Sequence, residues 1–125
     1  MKKNKNKYLY NKRLNVLNFA KTIIPKHGLN SNTLEIISNE FSLNHNETDL
    51  LFPEGNIDLI KFALKQLNNE LEAYLINTDL IRLPVHKRIR KILLSKIYLM
   101  KKEKIFYKTI FLKLLIPKKN FLLPR

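Results

Sequence analysis

Cations set among apolar residues are the main chemistry this chain offers. Lys101, Lys104 and Lys108 fall on one stripe of a helical projection, because residues three or four apart share a helix face. Around them Ile105, Phe106, Ile110, Leu112, Leu114 and Leu115 supply more apolar surface than a short helix can bury by itself. Upstream, His86, Lys87 and Arg88 run together and Lys91 follows one turn later. Such a run can hold an anionic head group, or it can be the solvated first turns of a helix. Lys87, Arg88, Lys91, Lys101, Lys104 and Lys108 are therefore the candidate contacts to an anion or an acidic membrane surface. At such a surface each basic side chain gains roughly 1 kcal/mol.

Catalysis is poorly supplied. The 125 residues contain no cysteine, which removes thiol nucleophiles, disulfides and Cys-ligated zinc. Two glycines, Gly28 and Gly55, are too few for a phosphate-cradling loop. The three histidines, His27, His45 and His86, show no metal-ligand spacing. Glu70 and Glu72 are two residues apart and face different sides of a helix, so they do not share a metal. Ser38, Ser42 and Ser95 lie in no activating motif. A non-enzymatic binding or accessory protein without a cofactor is the expectation.

Charge is divided unevenly along the chain. The net charge is +14, made of +8 over residues 1–26, −7 over 27–81 and +13 over 82–125. Two basic ends thus flank an acidic middle, and a basic-surface function must use the ends. The bias toward Lys, Asn and Ile has the look of AT-rich coding drift, so net charge alone argues little. No apolar signal core follows Met1 to Lys7, and the apolar stretch Ile105–Ile116 is interrupted by Lys108 and Lys113. It is also shorter than the ~20 residues of a spanning helix.

The elements that must position these residues read as helices. Periodicity predicts one from about Leu14 to Lys26, closed by Pro25 and Gly28. A second starts near Asn32 with Leu34, Ile37 and Phe41 on one face, and a third is opened by an Asn44/Glu47 capping box and ends at Pro53. Asn56 is expected to cap a long helix to about Leu75, with Ile60, Ala63, Leu64, Leu67, Leu71, Tyr74 and Leu75 inward. Pro84 suits the start of a fifth, striped by Val85, Ile89, Ile92, Leu93, Ile97 and Met100. A last helix, Glu103 to Ile116, stops at Pro117. Residues 1–13 read as a disordered basic tail. The fold class is all-α.

Short helices joined through Ser42-Leu43-Asn44 form a helix-turn-helix of TetR type. Its second helix carries Glu47 and Asp49 and no cation, with Glu40, Glu54 and Asp58 nearby. DNA affinity depends on neutralising phosphates, so sequence-specific DNA binding is disfavoured.

Four strings in register carry a resemblance. They are Ile24-Pro25-Lys26-His27-Gly28, Leu51-Phe52-Pro53-Glu54-Gly55, Leu83-Pro84-Val85-His86-Lys87-Arg88-Ile89-Arg90 and Leu114-Leu115-Ile116-Pro117-Lys118-Lys119-Asn120. Together they resemble the ubiquinone-biosynthesis accessory family, the ninth Coq protein and its bacterial relatives, from about Leu14 to Asn120. The resemblance implies a TetR-like helical domain over residues 14–125, with 14–55 the helix-turn-helix part and 56–125 a partial lipid-binding bundle. Family members continue past the last string, so a chain truncated at its C-terminal side is expected.

Their partners would be an isoprenoid lipid or quinone intermediate, the di-iron demethoxyubiquinone hydroxylase, an anionic membrane surface and a second copy in a homodimer. Localisation would be cytoplasmic at a bacterial inner membrane, or on the matrix side in a mitochondrion. On this reading Leu64, Leu67, Leu71, Ile89, Ile92, Leu93, Ile110 and Leu114 form the remaining wall of an isoprenoid site. The alternatives are a TetR-type transcriptional regulator and a non-functional gene remnant.

Overall fold

The structure, a computed structural model, describes residues 2–115, with side chains from Asn6 onward. The expected stop at Pro117 and the string after Leu115 lie outside the described residues. Six α-helices and one 3-10 turn make up the fold, and no strand occurs among the described residues. The helices are α1 (Lys2–His27), α2 (Thr33–Glu40), α3 (His45–Leu51), α4 (Asn56–Leu75), α5 (Val85–Met100) and α6 (Lys104–Leu115), with the 3-10 turn Lys101–Glu103 joining the last two. The all-α expectation holds. No helix among the described residues is long and apolar enough to cross a membrane.

The largest departure from expectation is at the start. Residues 2–13 are not a disordered tail but the first half of α1. Periodicity missed this because the anchors come from distant sequence. Leu9 packs on the core. Tyr10 stacks edge-on against Phe62 at 5.8 Å and donates to Gln66 Oε1 at 3.0 Å. Arg13 Nε donates to the Leu51 carbonyl at 2.9 Å, and Lys12 lies 5.8 Å above the Phe41 ring. Each contact crosses from α1 to another element and leaves no local pattern.

Further along, α1 places Val16, Leu17, Ala20 and Ile24 in the core. Pro25 is accommodated in the last turn, and Gly28, at φ 77°, reverses the chain while its N–H bonds the Ile24 carbonyl at 2.7 Å. A Cβ is disfavoured in that left-handed conformation, which is why glycine ends the helix. The α2–α3 turn passes through Ser42 at φ 53°. It is held by the expected capping box, in which the Asn44 side chain accepts from Glu47 N at 2.8 Å and Glu47 Oε1 accepts from Asn44 N at 3.1 Å. The Ser38 and Thr48 hydroxyls, 2.7 Å apart, tie the two helices together.

At α4 the cap is Gly55, at φ 70°, and Asn56 is already helical. Its side chain instead donates to the Asn30 carbonyl at 2.8 Å, bracing the loop after α1. The first half of α4 is buried through Leu59, Ile60, Ala63 and Leu67, whereas Leu71 and Leu75 are half-buried and Tyr74 is exposed. Helix α5 packs against α4, and α6 returns to α1. There Phe106, Tyr107 and Ile110 complete the core. Lys21 on α1 closes the join with an ion pair to Glu103 at 3.0 Å.

Candidate functional site: a lysine-rimmed apolar groove

The junction of α5 and α6 builds the site. After Met100 the chain tightens into the 3-10 turn, which joins the end of α5 to the start of α6 without a break. Between them opens a groove of about 340 Å³. Its apolar lining is Ile97 and Met100 from α5 with Tyr107 and Phe111 from α6. Lys101, Lys104 and Lys108 line the same groove and are exposed, so three cations rim an apolar floor.

The lysine stripe read from the sequence is therefore one feature in space. Lys101 and Lys104 also border a second depression, of about 430 Å³, on the other side of the 3-10 turn. Lys21 and Lys102 line it too, together with Glu103 and Phe106. The two lysines thus stand on a ridge between an apolar groove and a cationic hollow. Tyr107 is 2% exposed. Burial pushes its phenol well above the ordinary tyrosine range, and the nearby Glu103 and Glu70 carboxylates raise it further.

The remaining candidate contacts separate. Lys87 and Lys91 are exposed on α5. Arg88 is not a free cation: its guanidinium donates to the carbonyls of Leu80 at 3.1 Å, Ile81 at 3.4 Å and Leu83 at 3.1 Å. It clamps the loop between α4 and α5, whose carbonyls have no helical partner. A five-donor planar fork suits that task. Arg88 is therefore tied to that loop, unlike the exposed Lys87 and Lys91.

The eight residues expected to wall an isoprenoid site are scattered between core and surface among the described residues. Leu67 and Ile110 are consumed by the core, and Leu64, Leu71 and Ile92 are half-buried. Ile89, Leu93 and Leu114 face outward, at 53%, 55% and 45% exposure. None of the eight borders the groove. Phe106, taken from the sequence as surface, is also in the core. Of the residues that do line the groove, the three lysines are legible in the sequence, Ile97 and Met100 read only as part of the α5 stripe, and Tyr107 and Phe111 are not singled out. The available signal was that Ile97, Met100, Lys104, Tyr107, Lys108 and Phe111 keep three- and four-residue steps straight across the helix boundary.

Beyond the groove, α5 shows an unusual outer face. Its only buried residue is Ser95, while Val85, Ile89, Leu93, Leu94, Ile97 and Tyr98 are all exposed. Lys87, Arg90 and Lys91 lie among them, and the helix contains no acidic residue. The stripe Val85–Ile89–Leu93–Ile97 steps by one turn and leads into the groove at Ile97.

Elsewhere the polar clusters are structural or superficial. His45 Nε2 lies 3.3 Å from Asp49 on the exposed face of α3. No group of three metal-ligating side chains occurs among the described residues. One geometric fact bears on DNA: the basic first half of α1 runs beside α3, where Tyr8 and Lys12 share a small cleft with Glu47 and Leu50. The sequence matches no protein-family model, no curated protein and no solved structure.

Proposed function

We propose that the protein is a non-enzymatic lipid-binding accessory protein of the ubiquinone-biosynthesis type, working at a membrane surface. The observation that carries this reading is the acid-free outer face of α5, whose exposed apolar stripe leads into the groove at the α5–α6 junction. Contiguous exposed apolar surface is uncommon on proteins that stay in water and marks an interaction site. Interspersed cations suit it to the interfacial zone of an anionic bilayer, where apolar side chains enter and basic ones meet head groups. A lipid leaving the bilayer along the Val85–Ile97 stripe would be led to the groove at Ile97.

The Coq-like strings supply the pathway assignment, an isoprenoid or quinone ligand, and the di-iron hydroxylase as recipient. A homodimer belongs to the same reading. It would have to form away from the outer face of α5, because there two copies would oppose Lys87, Arg90 and Lys91 with their own kind.

Native mass spectrometry of the full chain, with flotation on vesicles, tests the proposal. A retained species of polyprenyl or quinone mass, and flotation with anionic but not neutral vesicles, are the expected results. A lipid-free chain that stays off anionic vesicles at moderate salt overturns it.

The helical α1 favours a second reading, a TetR-type regulator, more than its sequence did, because Lys12 stands beside α3. Glu47 and Asp49 still oppose phosphate approach from α3 itself. A salt-sensitive gel shift that one duplex wins over random sequence would support it, and equal retardation of all duplexes would exclude it.

A further inference from the structure

The groove and its rim together say more about the ligand than the apolar lining does alone. A neutral isoprenoid would satisfy Ile97, Met100, Tyr107 and Phe111 but leave Lys101, Lys104 and Lys108 with nothing to meet. No carboxylate pairs with those three among the described ion pairs, and Glu103, the only acid after residue 81, is engaged by Lys21. Cations brought together on one rim repel each other, and that repulsion is relieved by an anion seated between them.

The donor type narrows the anion further. Lysine ammonium groups are compact point charges that suit a multiply charged phosphate, whereas planar recognition of a carboxylate favours the arginine fork. No arginine lines either depression. The space also limits the chain. About 340 Å³ is at the small end of the ~300–1,000 Å³ typical of ligand pockets, a size that suits one chain.

We infer that the α5–α6 groove binds a single-chain lipid phosphate, with the chain against Ile97, Met100, Tyr107 and Phe111 and the phosphate on the rim of Lys101, Lys104 and Lys108. This rests on the lipid-binding reading above and specifies its ligand as charged.

The experiment compares farnesyl phosphate with farnesol, which share the chain and differ in the head, by titration against the full-length protein at low salt. Farnesyl phosphate is expected to bind at least about tenfold more tightly, as three exposed cations acting together allow. The advantage should shrink as salt screens the rim. Lys104→Ala and Lys108→Ala should each cost roughly fivefold for farnesyl phosphate and nothing for farnesol. Both side chains are exposed, so the fold is kept, and circular dichroism checks it. Ile97→Asp, also at an exposed position, should weaken both ligands.

Equal affinity for the two ligands overturns the phosphate assignment and leaves the lipid-binding reading standing. No binding of either overturns both. Inorganic phosphate that competes as strongly as farnesyl phosphate also overturns the inference, because the groove would then contribute nothing.

Discussion

Helices α1 and α5 both carry apolar residues at one-turn spacing, yet they have opposite fates. Helix α1 buries Val16, Leu17, Ala20 and Ile24 beneath α4 and α6, and even its lysines find aromatic faces, Lys12 over Phe41 and Lys21 over Phe106. Helix α5 buries Ser95 and leaves six large apolar side chains in solvent. The difference is the number of neighbours. Helix α1 is covered by α2, α3, α4 and α6, whereas α5, among the described residues, rests chiefly on α4, with Leu99 and Met100 at its end reaching the core. An amphipathic pattern therefore marks a face that wants cover, and the fold decides whether the cover is protein or something else.

Truncations on the two sides measure that contrast directly. Phe106→Ala removes a ring packed at 1% exposure in the core that α1 shares with α6, and should cost about 3–5 kcal/mol in urea unfolding followed by circular dichroism. At the loop between α4 and α5, Arg88→Ala removes the side-chain donor to three carbonyls, of which only that of Leu80 keeps another partner, the Leu83 N–H, and should cost about 1–3 kcal/mol. Arg88→Lys should not rescue it, since a single ammonium group cannot span the three acceptors.

The Tyr107 phenol separates the regions by pH. Its folded-state pKa lies above that of the unfolded chain, so its contribution to stability is fully present below an ordinary tyrosine pKa of about 10 and declines as pH rises beyond it. Stability of the wild type should fall through that alkaline range more steeply than that of Tyr107→Phe, and ultraviolet titration should find one tyrosine ionising only on unfolding. Parallel curves would mean that Tyr107 is open to water.

The smallest effect is expected on the bare helix. Leu93→Ala should change stability by no more than about 0.5 kcal/mol, while weakening flotation on anionic vesicles. A cost near that of Phe106→Ala would break the comparison, because it would mean that another surface covers α5 in solution.

What was readable from the chain has a common physical origin. Boundaries set by local hydrogen bonding or backbone conformation were legible: the Asn44/Glu47 box, the reversal at Gly28, and the stretch of α4 up to Leu75. So was the stripe of Lys101, Lys104 and Lys108, because helix geometry fixes which residues share a face. The helical start of α1 was not legible, since its support comes from residues 41–66 and Lys-Asn-rich sequence gives no periodicity of its own. Neither was the role of Arg88, which is defined by loop carbonyls that only the α4–α5 turn brings within reach.

The sequence by itself determined that the chain is helical, basic at both ends and poor in catalytic groups, for these follow from composition and local spacing. Only the tertiary structure decided which apolar faces meet protein, sending Leu67 and Ile110 inward and Ile89 and Leu93 outward. It also left an apolar groove open where α5 passes into α6. Burial depends on which helices lie alongside, and that is a property of the packed chain rather than of any stretch within it.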